Sequence, residues 1–181
     1  RLTRILPRTS ALRRPSRRGS GDALLAANAD FVLAVCAAPA LLRAFTLPEW
    51  ALEAARAAGL PAGLFVSHWD RLAPEEGEAL ARRLEPLRAE LDGLAWGSAL
   101  EPPAGLLPAL RGKAVAVLGG PGCGKTALIQ RLAGVQAPLR PTTAASLSQG
   151  PDGTLWLDTP GFRGASPAAK PAPDYRRQPC G

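Results

Sequence analysis

The 181-residue sequence contains no methionine, a single histidine and only three cysteines. It starts at Arg1 without any methionine, so a fragment of a longer chain or a processed product is expected. Cys36, Cys123 and Cys180 lie far apart and form no C-x-x-C pair. That argues against both a disulfide framework and a cysteine-built zinc site and suits a reducing compartment. No apolar run approaches 18 residues, so no membrane span is predicted. Acidic residues are missing from residues 1–21, which hold seven arginines: Arg1, Arg4, Arg8, Arg13, Arg14, Arg17 and Arg18. From Asp22 onward 15 basic and 15 acidic residues balance, so the net charge of +7 resides in this N-terminal arm. Such an arm suits contact with RNA or another polyanion; a solvated linker or a leftover targeting segment has the same composition.

What is present is an apolar fraction of 46% and a length sufficient for one domain with its own core. One stretch dominates it. Ala114-Val115-Ala116-Val117-Leu118 reads as a buried strand and Ala127-Leu128-Ile129-Gln130-Arg131-Leu132-Ala133 has helical spacing. Between them stands Gly119-Gly120-Pro121-Gly122-Cys123-Gly124-Lys125-Thr126, which fits G-x-x-x-x-G-K-[ST]. Glycines let successive N–H groups, here from Gly119 to Ala127, converge on one anion, and the helix start adds partial positive charge. Lys125 is the candidate partner of the β- and γ-phosphates and Thr126 a candidate Mg²⁺ ligand. A glycine-rich turn with no ligand is the plainer alternative.

Strands are expected at 31–37, 63–66, 94–97, 114–118 and 154–157, and helices at 48–58, 74–91 and 127–133, with a short helix or turn at 102–110. Residues 1–21 are expected to be irregular, 135–153 a polar mobile loop and 165–181 a disordered tail. The domain between arm and tail is therefore 22–164. Strands alternating with helices predict an α/β fold with a mostly parallel sheet.

Asp158-Thr159-Pro160-Gly161 at the end of the last strand fits D-x-x-G, in which the Asp can hold the Mg²⁺ shell and the glycine N–H can sense a γ-phosphate. A strand-to-turn Asp before Pro-Gly is the alternative. Ser67-His68-Trp69-Asp70 follows a buried strand where nucleotide GTPases keep N-K-x-D; Asp70 is kept, whereas Ser67 and His68 replace Asn and Lys. A helix-capping Asp would also fit there. Ser98-Ala99 matches the short S-A motif whose backbone N–H reads a guanine oxygen. Base motif and S-A precede the phosphate loop, and D-x-x-G comes last, the reverse of ordinary GTPases. The sequence looks like a circularly permuted GTPase.

Within that group it resembles the ribosome-small-subunit-dependent GTPases of the RsgA type. The resemblance rests on residues 5–15, on Ala27-Asn28-Ala29-Asp30-Phe31-Val32-Leu33, on Arg43, Ala54-Ala55 and Gly59, on the phosphate loop, and on Asp158-Thr159-Pro160-Gly161-Phe162-Arg163. It covers about residues 4–164 and implies a permuted P-loop NTPase three-layer sandwich that binds GTP and Mg²⁺ and acts as a monomer on the small ribosomal subunit and its rRNA. It implies catalytic roles for Lys125, Thr143 and Gly161, and Mg²⁺ contacts from Thr126, Thr142, Thr143 and Asp158. Nucleotide would be held by Gly119, Gly120, Pro121, Gly122, Cys123, Gly124, Lys125, Thr126, Ala127, Ser67, His68, Asp70, Ser98 and Ala99. The compartment would be bacterial cytoplasm or an organellar stroma or matrix. Four departures stand out: Ser67-His68; a shortened segment around Thr142-Thr143 without the usual preceding glycine and histidine; and the family's preceding OB-fold and following zinc domain, neither within the sequence, for which lone Cys180 is no substitute. An isolated core of a longer protein or a degraded paralogue is therefore expected, with no zinc in this chain.

Three functions remain open: a GTPase of small-subunit maturation, a pseudo-GTPase that binds ribosomal RNA or protein with little hydrolysis, and a P-loop ATPase. Against the last, no acidic pair ends the Trp156-Leu157 strand. Phe162 stands where many small GTPases place a water-orienting Gln, as the resemblance also implies, so slow intrinsic turnover is expected.

Overall fold

The computed structural model describes residues 7–15, 22–102, 105, 108–135 and 145–160. In chain order the strands are β1 (Ala11–Pro15), β2 (Asp22–Ala27), β3 (Phe31–Ala37), β4 (Ala62–Ser67), β5 (Gly93–Trp96), β6 (Ala114–Gly119), β7 (Ser146–Gln149) and β8 (Leu155–Asp158). The helices are α1 (Ala38–Arg43), α2 (Thr46–Ala57), α3 (Pro74–Leu84) and α4 (Lys125–Ala133). Strands β3 to β8 form one sheet in the order β5-β4-β3-β6-β8-β7, parallel except for β7; β1 and β2 form a separate antiparallel pair.

The unbroken apolar run of β3 suits a central strand, because both of its faces are covered. Val32, Ala34 and Cys36 pack with Leu41, Leu52, Leu80 and Leu84 from α1, α2 and α3. Phe31, Leu33 and Val35 pack with Val115 and Val117 of β6, Leu128 and Ile129 of α4 and Trp156 of β8. Helices therefore cover both faces of the sheet, and the three-layer α/β sandwich expected from the sequence is present. From β3 the chain runs outward through β4 and β5, then returns to the other side of β3 with β6. The crevice where that direction reverses, beyond the carboxyl ends of β3 and β6, is where doubly wound sheets take their ligands.

Three local expectations are corrected, and one helix was not foreseen. Within residues 1–21, residues 11–15 form β1, whose Leu12 is fully buried against the core. The loop expected over 135–153 contains β7, an edge strand with Leu147 63% exposed; lacking a buried face, it shows no apolar alternation. The long helix expected over 74–91 stops at Leu84 and continues as a 3₁₀ turn, Glu85–Ala89, since Pro86 has no N–H for the ladder. Helix α1, six residues opened by Ala38-Pro39, is too short for a periodic signal. The expected tail, 165–181, lies outside the described residues. Among the described residues no helix is long and apolar enough to cross a membrane.

Candidate nucleotide-binding site

Strand β6 delivers Gly119 into the crevice with no room for a side chain. A Cβ there would lie 2.5 Å from the Val35 carbonyl oxygen and 2.6 Å from Cys123 Sγ. Gly122 (φ +71°) and Gly124 (φ +88°) take left-handed backbone that bends the loop back onto the start of α4. Lys125, 6% exposed, folds over the loop, and its ammonium donates to the carbonyls of Gly119 (3.2 Å) and Gly120 (3.5 Å). The cation is thus held against the loop's own backbone carbonyls. Burial pushes the Cys123 thiol above the ordinary cysteine range, partly offset by the Lys125 charge; Cys36, at the carboxyl end of β3, is pushed up further, first by burial.

Two other segments close on the same loop from the β4–β5 side. Ser67, fully buried, donates its hydroxyl to the Cys123 carbonyl (2.6 Å) and lies 3.4 Å from that of Cys36. His68 adopts left-handed backbone (φ 55°), and its ring, as the Nε2–H tautomer, donates to the Gly122 carbonyl (3.2 Å). Ala99 comes so near that a Cβ on Gly124 would sit 3.1 Å from its own. These two segments are fastened to each other by the Trp69–Trp96 stack, with ring centroids 5.0 Å apart and an interplanar angle of 21°, and by the Trp69 backbone N–H donating to Gly97 O (3.4 Å). Asp70 is exposed in the short 3₁₀ turn Trp69–Arg71, where it caps no helix.

On the β8 side, Thr126 Oγ1 donates to Asp158 Oδ2 at 3.0 Å. Asp158 is 4% exposed. Thr159 keeps the following residues on β6, its hydroxyl donating to Val117 O (2.7 Å). A hydroxyl beside a buried carboxylate, at the mouth of a phosphate loop, is a hard-oxygen donor set that fits Mg²⁺, which takes one or two protein oxygens and completes its shell with phosphate and water. Among the described residues no cluster of three or more His, Cys, Asp or Glu could hold a metal alone.

Of the residues expected at the site, the structure gathers Gly119, Gly120, Gly122, Cys123, Gly124, Lys125, Thr126, Ser67, His68, Ala99 and Asp158 through these contacts. Pro121 and Ala127 belong to the loop and the first turn of α4, and Ser98 stands beside Ala99. Thr142, Thr143 and Gly161 lie outside the described residues. Sequence reading missed the tethering roles of Ser67 and His68, the Trp69–Trp96 stack and the Thr159 hydroxyl. Ser and His side chains can both donate hydrogen bonds, but no local pattern names acceptors more than 50 residues away.

A mostly parallel sheet whose central strand opens into a glycine-rich loop under a buried lysine defines a phosphate-loop nucleotide-binding protein. The loops after β4 and β5, which carry the candidate base motifs, come earlier in the chain than the phosphate loop, so the motif order is circularly permuted. The chain belongs to the RsgA GTPase family, whose sequence model matches residues 5–167. Among solved structures it is similar to YjeQ from Thermotoga maritima (TM-score 0.68, 23% identity, 88% of this chain and 54% of that one). It is also similar to YloQ, a circularly permuted GTPase (0.59, 23%, 90% and 52%), and to the GDP-bound structure of YlqF (0.50, 18%, 78% and 57%). At these identities the likeness establishes the fold, and the chain spans about half the length of the structures it matches. No curated protein sequence gives a match.

Proposed function

We propose that the chain binds GTP with Mg²⁺, hydrolyses it to GDP and phosphate, and uses nucleotide state to set its affinity for the small ribosomal subunit during that particle's maturation. The observation that carries this reading is the convergence of separate segments on one loop: Ser67 and His68 on one flank, and the Thr126–Asp158 pair on the other. A single ligand with a base at one end and a metal-bound triphosphate at the other is served by all of them together.

The chemistry asks for position and charge rather than covalent participation. The loop amides and the Lys125 ammonium would hold the β- and γ-phosphates. Thr126 and Asp158 would hold Mg²⁺, which supplies neutralisation of the charge that builds on the phosphate oxygens. Asp70 would accept from guanine N1 and N2, and the Ala99 N–H would donate to the guanine oxygen. Thr142 or Thr143 would close over the metal, and the Gly161 N–H would meet the γ-phosphate. With Phe162 in the water-orienting position, turnover by the chain alone would be slow. The working compartment is then wherever small subunits are assembled, bacterial cytoplasm or an organellar stroma or matrix. Ser67-His68 in place of Asn-Lys favours a second reading, a ribosome- or RNA-binding module with little hydrolysis.

Phosphate release by the chain, with and without purified small subunits, tests both. Low release alone and a rise on the order of 10³-fold with subunits is expected, the size that a missing charge-stabilising group costs in this chemistry. Subunits that bind without stimulating would replace the enzyme with the binding module, and rapid release by the chain alone would refute the role given to Phe162.

A further inference from the structure

We infer that the Trp69–Trp96 stack is the positioning element of base recognition. It sets the spacing between the Asp70 carboxylate and the Ala99 N–H, the two groups that would read the guanine edge. The inference deepens the GTP-binding function proposed above and rests on it. The chain needs such an element because the two side chains before Trp69 are committed elsewhere. Ser67 donates to the Cys123 carbonyl and His68 to the Gly122 carbonyl, both in the phosphate loop. No hydrogen bond or ion pair to another described residue holds the exposed Asp70 carboxylate. Its place is therefore set by the backbone of its own turn, and Trp69 is what anchors that turn.

Three contacts hold Trp69. Its ring stacks on that of Trp96, and both rings are half-buried against the core. Gly77 of α3 is buried beside it; a Cβ there would meet Trp69 Nε1 and Cζ2 at 3.7 Å, ordinary contact distance. The Trp69 backbone N–H donates to Gly97 O, and Gly97 N–H donates in turn to Val66 O of β4 (3.0 Å). The turn then closes through Arg71 N–H to His68 O (3.2 Å) and Leu72 N–H to Trp69 O (3.1 Å), with Asp70 one residue beyond the anchored ring. On the other segment Ala99 lies three residues beyond Trp96. Its turn closes through Leu100 N–H to the Ser98 hydroxyl (3.2 Å) and Glu101 N–H to Ser98 O (3.2 Å). Two groups on separate turns can read one ring only if the distance between them is held, because guanine carries its oxygen and its N–H groups at fixed spacing. Holding them before the ligand arrives removes an ordering cost from binding. Adenine lacks the pair of N–H groups that Asp70 would accept, so it gains nothing from that spacing. An aromatic pair is worth roughly 2- to 12-fold in an equilibrium constant beyond the area it buries, which sets the size of the effect.

The test is calorimetric titration with GTP and with ATP of the wild type, Trp96→Leu, Asp70→Ala and the double variant, each below its own Tm. Leucine keeps an apolar side chain on the core and removes the stack. Trp96→Leu should weaken GTP binding by about 2- to 12-fold and leave ATP binding unchanged. In the Asp70→Ala background it should have no further effect, because with one reader gone there is no spacing left to hold. Trp96→Phe keeps an aromatic ring and should restore most of the loss. Equal weakening of GTP and ATP, or an effect undiminished in the Asp70→Ala background, would make the stack a general support of the fold and overturn the inference. Wild-type GTP affinity in Trp96→Leu would overturn it as well. Asp70→Ala that binds GTP as tightly as the wild type overturns the guanine reading itself, which keeps that failure distinct from a failure of the stack.

Discussion

Ser67→Ala removes one oxygen atom from the point where the base-side strand meets the phosphate loop. The wild-type hydroxyl carries one proton, and the 2.6 Å contact marks the Cys123 carbonyl as its acceptor; the Cys36 carbonyl at 3.4 Å is the weaker neighbour. Ser67 has no exposed surface and Cys123 is 4% exposed, so water cannot readily replace the lost donor. An abandoned buried acceptor costs about 1–3 kcal/mol. For a domain of this size that lowers Tm by roughly 2–12 °C. The Cys123 carbonyl is part of the loop proposed to hold the phosphates, so the same loss loosens that loop. If the full 1–3 kcal/mol is felt in the bound state, GTP affinity falls by about 5- to 150-fold. Thermal unfolding without ligand, followed by titration with a fluorescent GTP analogue, measures both. Unchanged Tm together with unchanged affinity would refute the tether. A lower Tm with full affinity would leave Ser67 as a core hydrogen bond and remove it from the site.

Lys125→Ala should abolish nucleotide binding, because it deletes the one cation held over the loop carbonyls among the described residues; undiminished GTP heat in a calorimetric titration would sink the assignment. Discrimination of GTP over ATP should be modest: adenine leaves the Asp70 carboxylate unmatched, but that side chain sits in an exposed turn. Competition of the two nucleotides against labelled GTP checks this, and a strong preference for ATP would point to an ATPase. In a Cys180→Ser background, Cys36 and Cys123 should alkylate slowly at pH 7–8, because burial raises both thiol pKa values and shrinks the thiolate fraction; labelling as fast as in denaturant would contradict their burial.

Local sequence is most legible where one cause acts alone. Strand β3 needs only continuous apolar character, and its bounds, Phe31–Ala37, match the sequence reading. The phosphate loop is written in glycines that backbone geometry requires. Strands β1 and β7 were illegible because pairing partners make them: Arg13 and Arg14 become strand residues only when β2 lies alongside, and Ser146–Gln149 only when β8 does. At the site, sequence marked Ser67 and His68 as departures from a base motif. It could not show that both side chains reach carbonyls of the loop 56 and 54 residues further along the chain. Contacts of that separation depend on the sheet order, which no local pattern encodes.

The position of β6 between β3 and β8 has a consequence for synthesis. Translation runs from the N-terminus, so β3 and β4 can pair, and β5 can join them, before residue 114 has been made. Throughout that interval one long apolar edge of β3 stays open, with Leu33 and Val35 waiting for the residues that will cover them. The edge closes only when residues 114–119 slot against it, and that same event brings in the loop proposed to hold the nucleotide. Cover for that edge and the glycine-rich loop therefore arrive together, before β8 and β7 have been made, and a ligand present at that moment can favour closure over the sticky half-sheet that precedes it.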